Sequence, residues 1–289
     1  MRSDPEGNRL VILGAGVMGN GIATLALGNG VPVVLVDIAD AILARARVRI
    51  ERQLRHGQLL GAFPASRSAG ALTTTTSTAA AAAGAVAVIE AVTEDAAAKA
   101  KVLSALSAMV TAGTPLISNT SSIPIGELAR TVERPADLVG VHFMNPAYLV
   151  TMTELIAGPQ TGDATVEAVA ALLEAWGRRA VVVRDAPGFV TSRLLHPMIN
   201  EAARIVGAGT ATVEAVDKLM EGCLGHPTGP LRTADLIGLD NLADSLRVLS
   251  ERTGNDNYLP CDLLLSKVAA GNLGRKTGQG FYEYGEALS

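Results

Sequence analysis

The stretch RLVILGAGVMGNGIATLALGNGVPVVLVD, residues 9–37, decides the fold of this chain. It opens with an apolar, partly β-branched run at 10–13, which predicts a buried strand. Three glycines then follow at the spacing of a dinucleotide-binding turn, and a run of small residues predicts a helix over 20–28. A second apolar run ends in Asp37, where this fingerprint places an acid for the ribose hydroxyls. Strand, turn, helix, strand and acid in this order predict that the chain binds a dinucleotide.

The glycine-rich turn has a physical reason for each of its glycines. Gly14 allows the tight turn out of the strand, Gly16 lets the backbone approach a pyrophosphate, and Gly19 lets the helix pack closely on the sheet. We expect the cofactor to contact this whole turn, which comprises Gly14, Ala15, Gly16, Val17, Met18 and Gly19. Asp37 favours NAD over NADP, because a carboxylate accepts hydrogen bonds from ribose hydroxyls and repels a 2′-phosphate.

The pattern of the chain changes near residue 187. Strand and helix patterns alternate from residue 9 to about 184, which predicts an α/β, Rossmann-like, doubly wound and mostly parallel sheet. Beyond Pro187 only helical spacing is found, over 189–206, 212–221, 231–251 and 262–270. We therefore predict an NAD-binding domain at 1–186 and an all-α C-terminal domain at 187–289. The helices carry many apolar faces for a domain of this size, so we expect copies to associate.

Composition excludes several classes of protein. The net charge is −4 and there is no basic tract, which argues against nucleic-acid binding. The uncharged stretch 69–89 is mostly Ala, Thr and Gly, so we predict no membrane span. Residues 1–8 are polar, and we expect no signal peptide. Cys223 and Cys261 match no metal or redox spacing, which predicts buried, reduced thiols, no metal site and a cytoplasmic location.

His142 is the first candidate for chemistry. It ends a predicted strand, and ligands of open α/β sheets bind beyond the carboxyl ends of strands. Glu154 lies within 152–157, which can return as a strand beside it. A His held by a carboxylate is the usual arrangement of a general base. The alternative is a His that only satisfies a backbone carbonyl.

Two further polar groups follow predicted strands. Residues 119–122 (NTSS) come after one strand, and their alternative role is a turn and helix cap. Glu94 and Lys99 come after another strand, and their alternative is an exposed ion pair at helical spacing.

Together these stretches resemble the short-chain L-3-hydroxyacyl-CoA dehydrogenase family along nearly the whole chain. The matching stretches are GAGVMGNGIA (14–23), EAVTED (90–95) with Lys99, SNTSS (118–122), GVHFMNP (140–146) with Glu154, DAPGFVTSRLL (185–195) and GRKTGQGFY (274–282). The resemblance implies NAD-dependent oxidation of a 3-hydroxyacyl thioester, a dimer formed through the helical domain, and a cleft between the domains.

The resemblance also implies a role for each matching residue. His142 takes the proton of the 3-hydroxyl group, and Glu154 orients it and stabilises the imidazolium. Substrate contacts are implied for Ser121, Asn145 and Ser192. Cofactor contacts beyond the glycine turn and Asp37 are implied for Glu94, Lys99, Asn119, Ser121, Asn145 and Lys276.

Three departures from the family pattern concern the substrate. Ser192 stands where the family usually has an Asn that helps to hold the substrate. Residues 53–60 lack the lysine with which CoA-using relatives meet the adenine-nucleotide end, and only Arg55 is charged there. Thr151 lies in NPAYLVTMTE, which replaces a proline- and lysine-containing run. A carrier protein presents phosphopantetheine without an adenosine phosphate, so fewer cationic partners are needed.

These departures favour a small, glyceryl-type hydroxyacyl group on an acyl carrier protein. Such a substrate is typical of a secondary-metabolism branch of the family that makes hydroxy- or methoxymalonyl (polyketide) extender units. Three alternatives stay open. One is an L-3-hydroxybutyryl-CoA dehydrogenase, and another is a non-catalytic NAD-binding protein with a structural or sensing role. A lesser one is a dehydrogenase of a free sugar acid, since related families share the NP-x-Y run.

Overall fold

The computed structural model describes residues 9–285, and the chain divides into two compact units between Ala186 and Pro187. The expectation about a signal peptide falls on residues 1–8, outside the described part. The first unit contains one eight-stranded sheet. Its strands are β1 (Arg9–Leu13), β2 (Val33–Val36), β3 (Leu72–Thr75), β4 (Ala85–Glu90), β5 (Leu116–Ser118), β6 (Leu138–His142), β7 (Met152–Ala157) and β8 (Arg179–Arg184).

The sheet has the order β3-β2-β1-β4-β5-β6-β7-β8. The first six strands in this order are parallel, β7 runs antiparallel to β6, and β8 is parallel to β7. This confirms the prediction of a mostly parallel, doubly wound sheet. The helices between the strands are α1 (Val17–Gly28), α2 (Asp40–Leu59), α3 (Thr78–Ala82), α4 (Ala96–Met109), α5 (Ile125–Ala129) and α6 (Asp163–Ala175).

Helices cover both faces of the central strands, which is why these strands are apolar except at their carboxyl ends. Leu10 and Ile12 of β1 point to the core under α1, α2 and α6, while Val11 between them is buried on the opposite face. On that opposite face α3, α4 and α5 pack against the strands. Burial on both faces explains the continuous Val, Ile and Leu runs that identify these strands in the sequence.

The strand order reverses at β1. From β1 the chain proceeds through β2 to β3 on one side, and through β4 to β6 on the other. In an open α/β sheet this reversal leaves a crevice at the carboxyl ends of the strands, where ligands bind. The glycine turn follows β1, so it lies at this crevice.

The second unit consists of helices α7 (Thr191–Gly207), α8 (Val213–Leu224), α9 (Pro230–Ile237), α10 (Leu239–Thr253) and α11 (Asp262–Ala269). Its core includes Ile199, Leu231, Leu242 and Leu246. The prediction of a single helix over 231–251 is wrong. Gly238, with φ of +96°, separates α9 from α10, because its backbone conformation is one that a helix cannot contain.

Within residues 9–285 no helix is both long and apolar enough to cross a membrane. In the same part of the chain no group of three or more His, Cys, Asp or Glu side chains is arranged to hold a metal ion. Cys261 is buried, whereas Cys223 is exposed on α8, so the expectation that both thiols are buried is wrong for Cys223. Within the second unit α8 buries only Val216 and Asp217, and its other positions are partly or fully open to solvent. The cytoplasmic location stays a prediction.

Candidate active site

The glycine turn joins β1 to α1 in the geometry that a pyrophosphate needs. Gly14 has φ of +98°, and a Cβ atom there would lie 2.4 Å from the Ala91 carbonyl oxygen just after β4. A Cβ on Gly19 would lie 1.8 Å from the Gly14 carbonyl oxygen. At Gly16, by contrast, nothing lies within 4 Å of a Cβ position, so the backbone is open to a ligand. No acidic residue stands in the first turn of α1 to compete for its N–H groups.

Asp37 follows β2 and is tied to the glycine turn. Its Oδ2 accepts a hydrogen bond of 2.7 Å from the Ala15 N–H, and its Oδ1 accepts one from the Ile38 N–H. The carboxylate is therefore fixed beside the turn, with both oxygens in defined positions. This is the placement that a ribose-binding acid requires.

His142 and Glu154 meet across two neighbouring strands. They are directly opposite each other in the antiparallel pair β6 and β7, and Nδ1 of His142 lies 2.8 Å from Oε2 of Glu154. Both side chains are more than nine-tenths buried. Because a carboxylate only accepts hydrogen bonds, this contact places a proton on Nδ1 and leaves Nε2 as the basic nitrogen. The alternative in which His142 only satisfies a backbone carbonyl does not describe this arrangement.

Glu94 organises the polar loop after β5. Its Oε1 accepts hydrogen bonds from the Thr120 hydroxyl at 2.6 Å, the Ser121 N–H at 2.8 Å, and the N–H and hydroxyl of Ser122. Burial raises the pKa of Glu94, but Lys99 and the hydrogen bonds from Thr120 and Ser121 outweigh burial, so the pKa lies below its ordinary value. Asn119 joins this loop to the end of β6, since its Oδ1 accepts from the Phe143 N–H.

Lys99 is not part of an exposed ion pair, so that alternative is wrong. Its side chain is buried, and its Nζ lies 2.7 Å from Oε1 of Glu90 and 3.3 Å from both the Val92 carbonyl oxygen and Oε2 of Glu94. The ammonium group is shared among three protein acceptors. A charge this deep requires such partners, because an isolated buried charge is very costly.

Glu90 is the residue of this site that the sequence analysis misses. It ends β4 and is fully buried; besides Lys99, it accepts hydrogen bonds from the Val92 N–H and from the Ser118 hydroxyl, each at 2.7–2.8 Å. Glu90 is the first residue of the EAVTED stretch. A carboxylate at the end of an otherwise apolar strand was the available signal.

The loop after β6 carries Asn145, which is exposed. Further along this loop the Tyr148 hydroxyl lies 3.1 Å from Nδ1 of His56 on α2. On the same helix the amide oxygen of Gln53 accepts a 2.8 Å hydrogen bond from the Thr24 hydroxyl. Gln53 and His56, two polar side chains of the lysine-free stretch 53–60, are therefore already hydrogen-bonded within the first unit.

The remaining predicted residues belong to the second unit. Ser192 is buried in the first turn of α7, and Lys276 forms a 2.5 Å ion pair with Asp240 of α10. The tail that contains Lys276 is fastened to Asp235 of α9, which accepts hydrogen bonds from the N–H groups of Phe281 and Tyr282. Burial raises the pKa of Asp235, and these N–H groups offset part of that effect. The substrate and cofactor contacts of Ser192 and Lys276 stay predictions.

Two family models match the chain. The NAD-binding domain of 3-hydroxyacyl-CoA dehydrogenase matches residues 9–186, and the C-terminal domain of the same enzymes matches residues 188–284. The chain belongs to the 3-hydroxyacyl-CoA dehydrogenase family.

Individual relatives match the chain along nearly their whole length. A "probable 3-hydroxybutyryl-CoA dehydrogenase" of Bacillus subtilis is 40% identical over 286 residues, covering 98% of the chain and 100% of the relative. A 3-hydroxybutyryl-CoA dehydrogenase of Bradyrhizobium diazoefficiens is 38% identical, covering 94% of each chain. The crystal structure of (S)-3-hydroxybutyryl-CoA dehydrogenase from Ralstonia eutropha superposes with a TM-score of 0.85 at 39% identity, covering 97% and 100%.

The family and the site agree on the cofactor and on the class of reaction. The glycine turn, the N-terminus of α1 and Asp37 provide a fitting cradle for NAD, and the chain is an NAD-dependent oxidoreductase acting on a CH–OH group. The non-catalytic alternative is thereby wrong. The comparisons do not support the glyceryl group on a carrier protein, and the CoA alternative fits the named relatives better.

Proposed function

We propose that this dehydrogenase oxidises the 3-hydroxyl group of a short 3-hydroxyacyl-CoA, such as 3-hydroxybutyryl-CoA. The observation that carries the proposal is the buried pair of His142 and Glu154 at the carboxyl end of β6. The relatives named 3-hydroxybutyryl-CoA dehydrogenases support the choice of substrate.

His142 is the general base in this proposal. Its Nε2 accepts the proton of the 3-hydroxyl group, while its Nδ1–H donates to Glu154 throughout. As the imidazole becomes an imidazolium, the Glu154 carboxylate stabilises the new charge, and burial strengthens this attraction. NAD supplies the acceptor for the hydride that leaves C3. In the reverse direction the imidazolium returns the proton to the ketone oxygen.

The polar residues around this pair complete the proposed site. We place Ser121 beside both substrate and cofactor, Asn145 beside the substrate, and Asn119 and Glu94 beside the nicotinamide. A substrate contact of Ser192 and a cofactor contact of Lys276 are proposed from the family resemblance alone. The hydrogen bonds that Glu94 accepts from residues 120–122 support this placement, since they hold Ser121 at the carboxyl edge of the sheet.

Substitution of the catalytic pair tests the proposal. His142→Ala should lower kcat by about 10²–10⁴-fold, the usual contribution of a general base. Glu154→Gln keeps the size of the side chain but loses the charge that stabilises the imidazolium, so kcat should also fall. NADH affinity, measured by fluorescence titration, serves as the control and should stay within about twofold in both variants. Turnover of His142→Ala near the wild-type rate would refute the role of this residue.

A carrier-protein substrate is the second candidate. It is favoured by the shortage of cations at residues 53–60, where Arg55 is the only Lys or Arg, and by the engagement of Gln53 with Thr24. A CoA phosphate normally needs charge-assisted partners. The test compares the same 3-hydroxybutyryl group on CoA and on an acyl carrier protein. A kcat/KM at least about tenfold higher on the carrier protein, roughly 1.4 kcal/mol, would select the second candidate.

Arg55 provides the matched variant for this comparison. If CoA is the substrate, Arg55→Ala should raise KM for 3-hydroxybutyryl-CoA and leave KM for the carrier-bound group unchanged. Equal effects of Arg55→Ala on both substrates would remove Arg55 as a partner of the coenzyme.

We also propose that the helical unit forms a homodimer. Several large apolar side chains of this unit are exposed in the single chain. They are Val190, Leu194, Leu219, Leu224, Leu236 and Leu259. A second copy would remove such a surface from water.

A further inference from the structure

Three ionic side chains form a cluster just beyond β4: Glu90 at the end of this strand, Glu94 in the loop that follows, and Lys99 on α4. Lys99 contacts both carboxylates, at 2.7 Å and 3.3 Å. Two carboxylates and one ammonium group leave one net negative charge. Glu90 and Lys99 are sealed from solvent, while the side chain of Glu94 is about one-third exposed. Solvent therefore screens this charge only in part.

The sheet order places this cluster next to one half of the dinucleotide. Asp37 follows β2, the glycine turn follows β1, and β4 is the next strand. A dinucleotide with its adenosine ribose at Asp37 and its pyrophosphate at the glycine turn must extend its other half toward β4 and β5. The end of β4 directly adjoins the turn, because the Ala91 N–H donates a hydrogen bond to the Leu13 carbonyl oxygen and a Cβ on Gly14 would clash with the Ala91 carbonyl oxygen.

The nicotinamide ring changes charge in the reaction. It is cationic in NAD⁺ and neutral in NADH. A nearby negative charge therefore attracts the oxidised form more strongly than the reduced form. We propose that the Glu90–Lys99–Glu94 cluster strengthens the binding of NAD⁺ relative to NADH, with Lys99 cancelling one of the two carboxylate charges. This rests on the proposed placement of the nicotinamide beside Glu94.

Glu90→Gln is the decisive variant. Glu90 is fully buried and paired with Lys99, so the substitution removes one negative charge without changing any exposed side chain of the site. The glutamine oxygen can accept from the Val92 N–H and Lys99, and its NH₂ group can donate to the Ser118 hydroxyl. Kd for NADH is measured by fluorescence, and Kd for NAD⁺ by competition with NADH. The ratio Kd(NAD⁺)/Kd(NADH) should rise by about three- to tenfold, the range expected for one partly screened unit charge.

Two control variants separate charge from structure. Ser118→Ala removes the hydrogen bond to Glu90 at constant charge, and Glu174→Gln removes a carboxylate on the exposed face of α6. Both should leave the ratio within about twofold of wild type. If Glu90→Gln does not fold, Glu94→Gln is measured in its place. It also lowers the negative charge of the cluster by one unit and should also raise the ratio.

The outcomes are distinct. An unchanged ratio in Glu90→Gln, with both affinities lowered equally, would show that the cluster only supports the fold and would overturn the proposal. A shift in Ser118→Ala as large as that in Glu90→Gln would overturn it as well. These binding titrations contain no acyl substrate. An unchanged ratio would therefore not bear on the proposed substrate or on the role of His142.

Discussion

Asp37 shows how one carboxylate can serve both the fold and the choice of cofactor. Its two oxygens accept hydrogen bonds from the N–H groups of Ala15 and Ile38, and the same oxygens are suited to ribose hydroxyls. Asp37→Asn should weaken NAD binding by roughly 1.5–3 kcal/mol, the scale for hydrogen bonds to a charged group. It should also narrow the preference for NAD over NADP, because the repulsion of a 2′-phosphate is removed.

Binding titrations with both cofactors check this prediction, with Asp40→Asn as the matched control. Asp40 is an exposed acid three positions away, in the first turn of α2. An equal loss of NAD affinity in Asp40→Asn and Asp37→Asn would mean that the overall negative charge after β2 matters, and not a direct contact of Asp37 with the ribose. Equal use of NAD and NADP by the wild type would show that Asp37 does not discriminate.

Glu94 links the site to the pH dependence of stability. Although burial opposes its charge, Lys99 and the hydrogen bonds from Thr120 and Ser121 keep the pKa of Glu94 below its ordinary value of 4.5. An acid with a lowered pKa in the folded state stabilises the fold above its ordinary pKa and loses this contribution as the pH falls through the folded value. The stability advantage of the wild type over Glu94→Gln should therefore be constant near neutral pH and shrink below about pH 4.5.

Urea unfolding of the two proteins between about pH 7 and pH 3.5 measures this difference. Glu174→Gln, which changes an exposed carboxylate on α6, should show no comparable trend. A difference between wild type and Glu94→Gln that widens on acidification would contradict the lowered pKa.

At the scale of elements, the break between α9 and α10 depends on one residue. Gly238 has φ of +96° and ψ of 125°, a conformation that residues with a Cβ rarely adopt, and a Cβ there would lie 3.1 Å from Oδ1 of Asp240. Gly238→Ala should destabilise the helical unit by about 1–3 kcal/mol, the cost of such a strained backbone. The mutant could relieve the strain only by shifting the start of α10.

Gly222 provides the matched control in the same unit. It lies inside α8 with no atom within 4 Å of a Cβ position, so Gly222→Ala should stabilise the helix by about 0.5–1 kcal/mol. Denaturant unfolding of both variants gives the two free energies. Opposite signs are expected, and a neutral Gly238→Ala would mean that the positive φ is not required at the break.

For the whole molecule, the exposed apolar side chains of the helical unit predict that two copies associate through this unit. The chain has a mass of 29.7 kDa, and light scattering after size exclusion should give about twice this value at micromolar concentration. Leu194→Glu should weaken the association, because Leu194 is 70% exposed in the single chain and lies in the helical unit.

Leu59→Glu is the control for this variant, since Leu59 is 86% exposed but lies on α2 of the first unit. It should leave the dimer intact. A wild-type mass of one chain, or equal disruption by Leu194→Glu and Leu59→Glu, would contradict a dimer formed through the helical unit.

Patterns within short stretches of sequence were enough for most of the architecture. Continuous apolar runs identify the strands, and the order strand, glycine turn, helix identifies the cofactor-binding half. Apolar spacing gave the wrong helix boundaries where the backbone conformation of a single residue ends a helix. The apolar spacing of 231–251 continues through Gly238, and only its positive φ divides the helix.

The class of fold, the glycine turn with Asp37, and the hypothesis that His142 pairs with Glu154 all followed from the sequence. Each depends on residues close together in the chain or on two strands that follow one another. The tertiary structure alone decided that Lys99 is buried between Glu90 and Glu94, and that Ser118 also holds Glu90. The reason is physical. Whether a charge is exposed or buried depends on partners brought together from different elements of the fold. The separation of Glu94 and Lys99 along the chain is the same in either case.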